Sequence, residues 1–291
     1  MPGFNVYVPL SFDDALRYLE ENPTDTLPIA GSTDLLPRIR RKQVSIRNLV
    51  DLSGLSELRY IRGDRDKIHI GALTTIADLR KQTDPPAWGR LLDDVTAKFG
   101  SPNIRNAATV GGNICAASSS EDLIPVFLAL DANVKAIRRG GVREMALKDF
   151  IVSKRRTALH PGEILAEVSF SKLSPRSACS FQKLGIRNTL IIALVSVAAV
   201  LETDETGSSI KSARIALNRL KRKIPERSES LEKELLGQKL NEQTIRKAAE
   251  VLGDELALTS DFRASAQYRC EAAKVLFRRA LTECQVGIAK K

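Results

Sequence analysis

Apolar and polar positions repeat along this chain with helical and strand periods, and the changes between them mark out its elements. Ala15, Leu16 and Leu19 form an apolar face within Ser11 to Glu20, where Ser11 is placed to cap and Asp14 follows three residues later. That spacing predicts a short helix. Leu27 to Ala30 and Asn48 to Leu52 predict short strands. Gly31-Ser32-Thr33-Asp34 follows the first of them, and a helix predicted from Leu35 is disturbed by Pro37. Leu58 to Ile61 and Lys67 to Gly71 flank Gly63-Asp64-Arg65-Asp66, a hairpin signal that puts Ile68 and Ile70 on one face. A short helix is predicted over Thr75 to Lys81, and a longer one through Trp88, Leu91, Leu92, Val95 and Phe99, ended by Gly100.

Ser101 to Asn113 reads as a polar loop with Gly111-Gly112 near its end. Asp122 then caps Leu123 to Leu130, which is apolar nearly all round and so predicted buried. Strands are predicted at Asn133 to Ile137 and Ile164 to Phe170. Leu173-Ser174-Pro175 changes the composition and predicts a domain boundary. Beyond it come strands at Ser180 to Leu184, Ala193 to Leu201 and Ile210 to Leu217, with Asp204 to Gly207 as a turn. Three helices follow: one from Ser228 to Gly237, one capped by Asn241, and one with Tyr268, Ala272, Val275 and Leu276 inward. An α/β half therefore precedes an antiparallel sheet packed on helices.

A length of 291 residues suits two domains, and 43% hydrophobic with 27% charged residues suits an ordinary globular protein. The longest apolar stretch, Leu190 to Leu201, is too short to span a bilayer. No signal peptide is evident, so a cytoplasmic location is expected. Cys115, Cys179, Cys270 and Cys284 make no Cys-x-x-Cys pair, which argues against zinc or an iron–sulfur cluster on this chain. His69 and His160 are the only histidines and lie far apart. The net charge of +10 gathers at Arg38 to Lys42, Lys154 to Arg156 and Arg219 to Lys223. Without aromatic partners or a nucleic-acid motif, these clusters read as solvated faces or docking surfaces for acidic partners.

Two segments stand out chemically: Pro28-Ile29-Ala30-Gly31-Ser32-Thr33-Asp34-Leu35 and Thr109-Val110-Gly111-Gly112-Asn113. Glycine lets successive backbone N–H groups point one way and lets a phosphate come close. Hydroxyls of Ser32, Thr33 and Thr109 add donors, and two such loops facing each other would suit a pyrophosphate. A Gly-Gly turn is also often only a turn. Neither Gly-x-Gly-x-x-Gly after a strand nor Gly-x-x-x-x-Gly-Lys-Ser/Thr occurs, so the Rossmann and P-loop readings fall away.

Ile29 to Pro37 and Gly100 to Ile114, the latter with its Ser-Pro-Asn-Ile-Arg-Asn run, resemble the FAD subunits of the xanthine dehydrogenase and carbon monoxide dehydrogenase family. So do Ser120 to Pro125, Phe181 to Gly185 and the tail Ser260 to Arg269, and the resemblance runs from about Tyr7 to Leu281. It implies an α+β protein. Residues 1–174 would be the FAD-binding part, of the vanillyl-alcohol-oxidase-like fold, with α/β subdomains of about 1–55 and 56–174. Residues 175–291 would form a C-terminal domain of a three-stranded antiparallel sheet packed on helices.

The resemblance further implies that residues 28 to 35 and 109 to 113 cradle the FAD pyrophosphate. Phe99 falls where the family packs an aromatic on the cofactor, and equally suits the end of a core helix. Asp122 matches an aspartate that contacts FAD, or is simply a helix cap. Lys183 matches a lysine at the flavin's polar edge, where a cation would stabilise negative charge, or is a solvated strand lysine. Leu165 falls near a residue lining the cofactor pocket, or is plain core. No residue of this chain is implied as a catalytic acid or base.

Partners implied are a large molybdenum-cofactor subunit and a small subunit with two two-iron two-sulfur clusters, with a dimer of heterotrimers as the candidate assembly. Electrons would pass from those clusters to FAD and on to an external acceptor. A flavin-free scaffold and a stand-alone flavin oxidase are the alternatives. Three departures from the family pattern bear on this. Ser32 stands where glycine is usual, Ile191 where an aspartate or serine is common, and basic Asn218 to Lys223 replaces a Gly/Ala/Pro-rich loop.

Overall fold

The computed structural model describes residues 3–81, 87–187, 192–218, 224–256 and 259–289. It forms two compact units. The first combines Met1–Leu79, Ser101–Ala117 and Ala132–Phe170; the second combines Arg80–Gly100, Ser118–Asp131 and Ser171–Lys291.

The first unit holds a small parallel sheet in which Asn48–Asp51 lies between Asn5–Tyr7 and Thr26–Ile29. The helix Phe12–Glu21 starts as its sequence predicts, with the Ser11 side chain accepting from the Asp14 N–H. Its Ala15, Leu16 and Leu19 pack with Val50, Leu52, Leu55, Leu58 and Leu73. Pro37 does not stop the helix Leu35–Arg40. It sits in the first turn, where a missing N–H costs nothing because that group has no partner within the helix.

A five-stranded sheet completes this unit in the order Ile61–Gly63, Lys67–Gly71, Ile164–Ser171, Asn133–Arg138, Gly141–Ala146. The hairpin expected around Gly63 to Asp66 is present, with Ile68 and Ile70 buried, but Ser56–Leu58 is a 3₁₀ turn, not strand.

The loop expected over Ser101 to Asn113 is instead two short helices, Pro102–Ala107 and Val110–Ala116. Ser101 caps the first by accepting from the Ile104 N–H, with Pro102 at its start, and Thr109 caps the second by accepting from the Gly112 N–H. Ser-Pro is a helix-start signal. The polar and glycine content of the segment concealed it.

In the second unit Ser177–Leu184, Val195–Thr203, Ile210–Leu217 and the short Glu226–Arg227 form an antiparallel sheet. The three expected strands are there, joined by a two-residue fourth. One face packs on the helices Glu229–Leu235, Glu242–Glu255 and Ala266–Ala289, through Val195, Val197, Ala199, Leu201, Ile215 and Leu217. By the strand alternation, Phe181, Lys183, Ser196 and Ala198 point the other way, toward the side taken by Ala87–Ala97 and Leu123–Ala129. In the last helix the inward positions are Arg269, Ala273, Leu276, Phe277, Ala280, Leu281 and Cys284, whereas Tyr268 is exposed. The expected face was thus one position out of phase for three of its four residues. The hydrophobic Tyr268 yields its place to Arg269, whose guanidinium is held by the Thr259 carbonyl and the Asp261 carboxylate.

Candidate functional site

The first unit brings both glycine-containing segments together. Pro28 and Ile29 end the strand Thr26–Ile29, and Ile29 is buried against Ile39 and Leu49. The chain then leaves the sheet at Ala30 and Gly31. A side-chain Cβ on Gly31 would lie 1.8 Å from the Ala107 carbonyl oxygen and 3.0 Å from the Ala108 Cα. Glycine is therefore required there because one segment's backbone presses on the residues that lead into the other.

Ser32 takes the left-handed conformation, φ 62°, and its hydroxyl donates to the Ala30 carbonyl at 3.1 Å. The backbone N–H groups of Gly31, Ser32, Thr33, Asp34 and Leu35 have no acceptor among the described residues. A run of unsatisfied N–H donors around a left-handed residue is a concavity suited to an anion. Asp34 puts a carboxylate beside it, held by the Arg155 guanidinium at 2.8 Å and by Arg38 at 3.5 Å.

The second segment is built differently from the expected glycine loop. Gly111 and Gly112 lie in the first turn of the helix Val110–Ala116. Its amides are largely used within the protein: Val110 donates to the Thr74 carbonyl, Gly111 to the Ala72 carbonyl, Gly112 to the Thr109 hydroxyl and Asn113 to the Thr109 carbonyl. A Cβ on Gly111 would meet the Ala72 side chain at 2.6 Å, so this glycine serves packing. Gly112 is exposed, and among the described residues a Cβ there would meet only the Thr109 hydroxyl, at 2.8 Å. What this segment offers a ligand is the open side of Gly112 and the remaining proton of the Thr109 hydroxyl, while Asn113 is buried. Leu165 is buried on the strand Ile164–Ser171 opposite Ala136.

The second unit contains Phe99, Asp122 and Lys183. Phe99 is buried just past the helix Ala87–Ala97 rather than within it. Asp122 precedes the buried helix Leu123–Ala129 but makes no side-chain cap bond. Its Oδ2 accepts from the Lys183 Nζ at 2.5 Å, and that ammonium also donates to the Lys98 carbonyl at 3.0 Å. The Lys183 side chain is fully buried, so it is not a solvated strand lysine. Burial pushes the Asp122 carboxyl up to about 6, against the pull of Lys183. Its other oxygen, Oδ1, is buried without a hydrogen-bond partner among the described residues.

Arg155 is the residue that sequence reasoning did not single out, because it sat inside a basic run read as solvated. Nothing in its local pattern announces a pairing with Asp34, 121 positions away. Ile191 and Arg219 to Lys223 lie outside the described residues. Among the described residues no group of His, Cys, Asp and Glu is placed to hold a metal ion, and no helix is long and apolar enough to cross a membrane.

Residues 2–172 match the family described as the FAD binding domain in molybdopterin dehydrogenase, and residues 180–284 match the CO dehydrogenase flavoprotein C-terminal domain. The chain is 30% identical to the nicotinate dehydrogenase FAD-subunit of Eubacterium barkeri, over 96% of this chain and 95% of that one. It is 29% identical to the glyceraldehyde dehydrogenase medium chain of Sulfolobus acidocaldarius, over 97% and 98%. Among solved structures, the carbon monoxide dehydrogenase of Hydrogenophaga pseudoflava contains a chain that matches with a TM-score of 0.92 at 26% identity, covering 98% of each.

Proposed function

Since the chain belongs to the family of FAD-binding subunits of molybdopterin dehydrogenases, we propose that residues 28 to 35 and 109 to 113 hold the pyrophosphate of a non-covalently bound FAD. The observation that carries this is the run of five backbone N–H groups, Gly31 to Leu35, without acceptors among the described residues. Their donors suit phosphate oxygens, and Ser32 bends the run into a concavity. The Thr33 hydroxyl and the proton of the Thr109 hydroxyl add side-chain donors. Phe99, Asp122, Leu165 and Lys183 are proposed as cofactor residues on family resemblance. The boundary between the FAD-binding domain, 1–174, and the C-terminal domain, 175–291, is proposed on the same ground.

Bound there, FAD supplies the redox capacity by which such a subunit links iron–sulfur clusters of a small partner to an external acceptor. A large molybdenum-cofactor subunit would carry substrate oxidation, and the trimer would pair into a dimer of heterotrimers in the cytoplasm. The protein's part is to bind and orient the dinucleotide and to set the charge around it.

Acid precipitation of the purified protein should release flavin to the supernatant in one-to-one amount, and it should migrate as FAD. Recovery of FMN would refute the pyrophosphate assignment, and absence of flavin from an intact complex would favour a flavin-free scaffold. Native mass spectrometry at natural expression levels should show two partner subunits. A single-subunit species that oxidises substrate unaided would instead favour a stand-alone flavin oxidase.

A further inference from the structure

Arg155 touches three points that the cofactor segments depend on. It occupies the turn between the short strands Ile151–Ser153 and Arg156–Thr157, in the left-handed conformation at φ 66°. Its backbone N–H donates to the Ala117 carbonyl at 2.8 Å. Its Nη1 donates to the Ala116 carbonyl at 3.0 Å and to the Asp34 Oδ2 at 2.8 Å. Ala116 ends the helix Val110–Ala116, whose first turn contains Gly111 and Gly112, and Ala117 is that helix's left-handed C-cap. Asp34 lies within the run Gly31 to Leu35, whose amides have no acceptor among the described residues.

One side chain and its own backbone therefore satisfy carbonyls at the C-terminal end of the second segment's helix and grip the far end of the first segment. A guanidinium at a helix C-terminus also meets the negative end of the helix. The first segment needs such a grip. Its amides have no acceptors among the described residues, and Ser32 is in a conformation that L-residues adopt at a cost. A carboxylate beside a phosphate site is unfavourable unless a cation neutralises it, and Arg155 does so.

We propose that Arg155 is a positioning residue for FAD: it locks the phosphate-binding run at Asp34 to the helix that carries Gly112, without itself serving as the phosphate ligand. This rests on the proposed pyrophosphate site.

The test is FAD titration of the flavin-stripped full-length chain, read by quenching of flavin fluorescence, together with thermal melting in the absence of flavin. Arg155→Met is expected to weaken FAD binding about tenfold, the scale of one lost charge-assisted hydrogen bond. The flavin-free melting temperature should stay close to that of the unaltered chain. Arg155→Lys, which keeps a cation for Asp34, should recover most of the affinity. Asp34→Ala should weaken FAD to a similar degree, and the double variant should be no worse than the weaker single one, because both remove the same link. Should Arg155→Met fail to fold, Asp34→Ala alone still decides the matter.

Unchanged affinity in Arg155→Met or Asp34→Ala would overturn the proposal. So would additive losses in the double variant, which would make Arg155 a direct phosphate ligand. If the unaltered chain binds no FAD, the pyrophosphate site falls and this inference falls with it. If the unaltered chain binds FAD and the variants match it, only the inference falls.

Discussion

Lys183 and Asp122 form a buried ion pair, Nζ to Oδ2 at 2.5 Å, between the strand Ser177–Leu184 and the residue before the helix Leu123–Ala129. Neither side chain takes the plain structural role, helix cap or solvated strand lysine, that its position in the sequence also allowed. The aspartate makes no side-chain cap bond to the helix, and the lysine is withdrawn from water. The pair links the sheet to the helix on the face opposite the three C-terminal helices.

Breaking this pair from one side should be costly, because it strands a buried charge. Asp122→Leu is expected to lower unfolding free energy by about 3–5 kcal/mol, whereas Asp122→Leu with Lys183→Met should come within about 1 kcal/mol of the unaltered chain. Urea unfolding of the three variants and the parent measures both. A double variant as unstable as the single one would mean that the two charges are not coupled.

A second polar cluster gives a pH dependence in the first unit. Glu167 is buried and accepts from the Tyr60 hydroxyl at 2.6 Å, with His69 Nδ1 at 2.9 Å and Lys135 at 3.4 Å; Arg62 lies at 3.4 Å, and His69 Nε2 meets Asp64 at 3.0 Å. Burial alone would raise the Glu167 pKa, but the Tyr60 and His69 bonds outweigh it and hold it below the ordinary 4.5. The bond to Glu167 raises His69 above the ordinary 6.5.

The depressed carboxyl contributes stability above 4.5 that is lost as pH falls through its folded value. The raised imidazole contributes stability below 6.5 that is lost as pH rises through its folded value. The cluster should therefore stabilise most between those limits. The stability gap between the parent and His69→Gln, from urea unfolding, should be widest near about pH 5.5 and shrink by about pH 8.5. A gap that grows with alkalinity would reverse the assignment.

Ser32 offers a third measurement. At φ 62° an L-residue is strained, and the bond from its hydroxyl to the Ala30 carbonyl offsets part of that strain. Ser32→Gly should be within about 1 kcal/mol of the parent or more stable, since relief of strain competes with the greater freedom of glycine when unfolded. Ser32→Val, with a branched side chain and no hydroxyl, should lose about 1–3 kcal/mol. Equal stability of the valine variant by chemical denaturation would show that the turn is not constrained.

Much of the architecture was legible because local signals agreed with it. Ser11, Thr75, Ser228 and Asn241 each announced a helix start, and each cap bond is present. Ile245, Ala248, Ala249 and Leu252 announced the buried face of their helix and form part of the core. Where local signals conflicted, the sequence misled. Gly111 and Gly112 lower helix propensity, yet Thr109 caps a helix over them, because Gly111 must lie against Ala72. Partners distant in sequence were not legible at all. Asp34 with Arg155, Asp122 with Lys183 and Glu167 with Tyr60 are joined only by the fold.

The glycines themselves separate structure from ligand binding. Gly31 and Gly112 look alike in sequence, but a Cβ on Gly31 would be driven into the Ala107 carbonyl at 1.8 Å, a backbone atom that cannot swing aside. Gly31→Ala should therefore force the two segments apart and cost at least about 1–3 kcal/mol, as overpacking does, with or without FAD. At Gly112 the only close neighbour among the described residues is the Thr109 hydroxyl, so a side chain there displaces a cap worth about 1 kcal/mol and meets no other described residue. Gly112→Val should thus remain folded, and if the pyrophosphate lies against this position the branched side chain should exclude it. Melting of the flavin-free chain and FAD titration, run on both variants, separate the two effects. Gly112→Val is expected to melt near the parent and lose FAD; Gly31→Ala is expected to melt well below it. A Gly112→Val chain that takes up FAD as the parent does would mean that the pyrophosphate lies elsewhere.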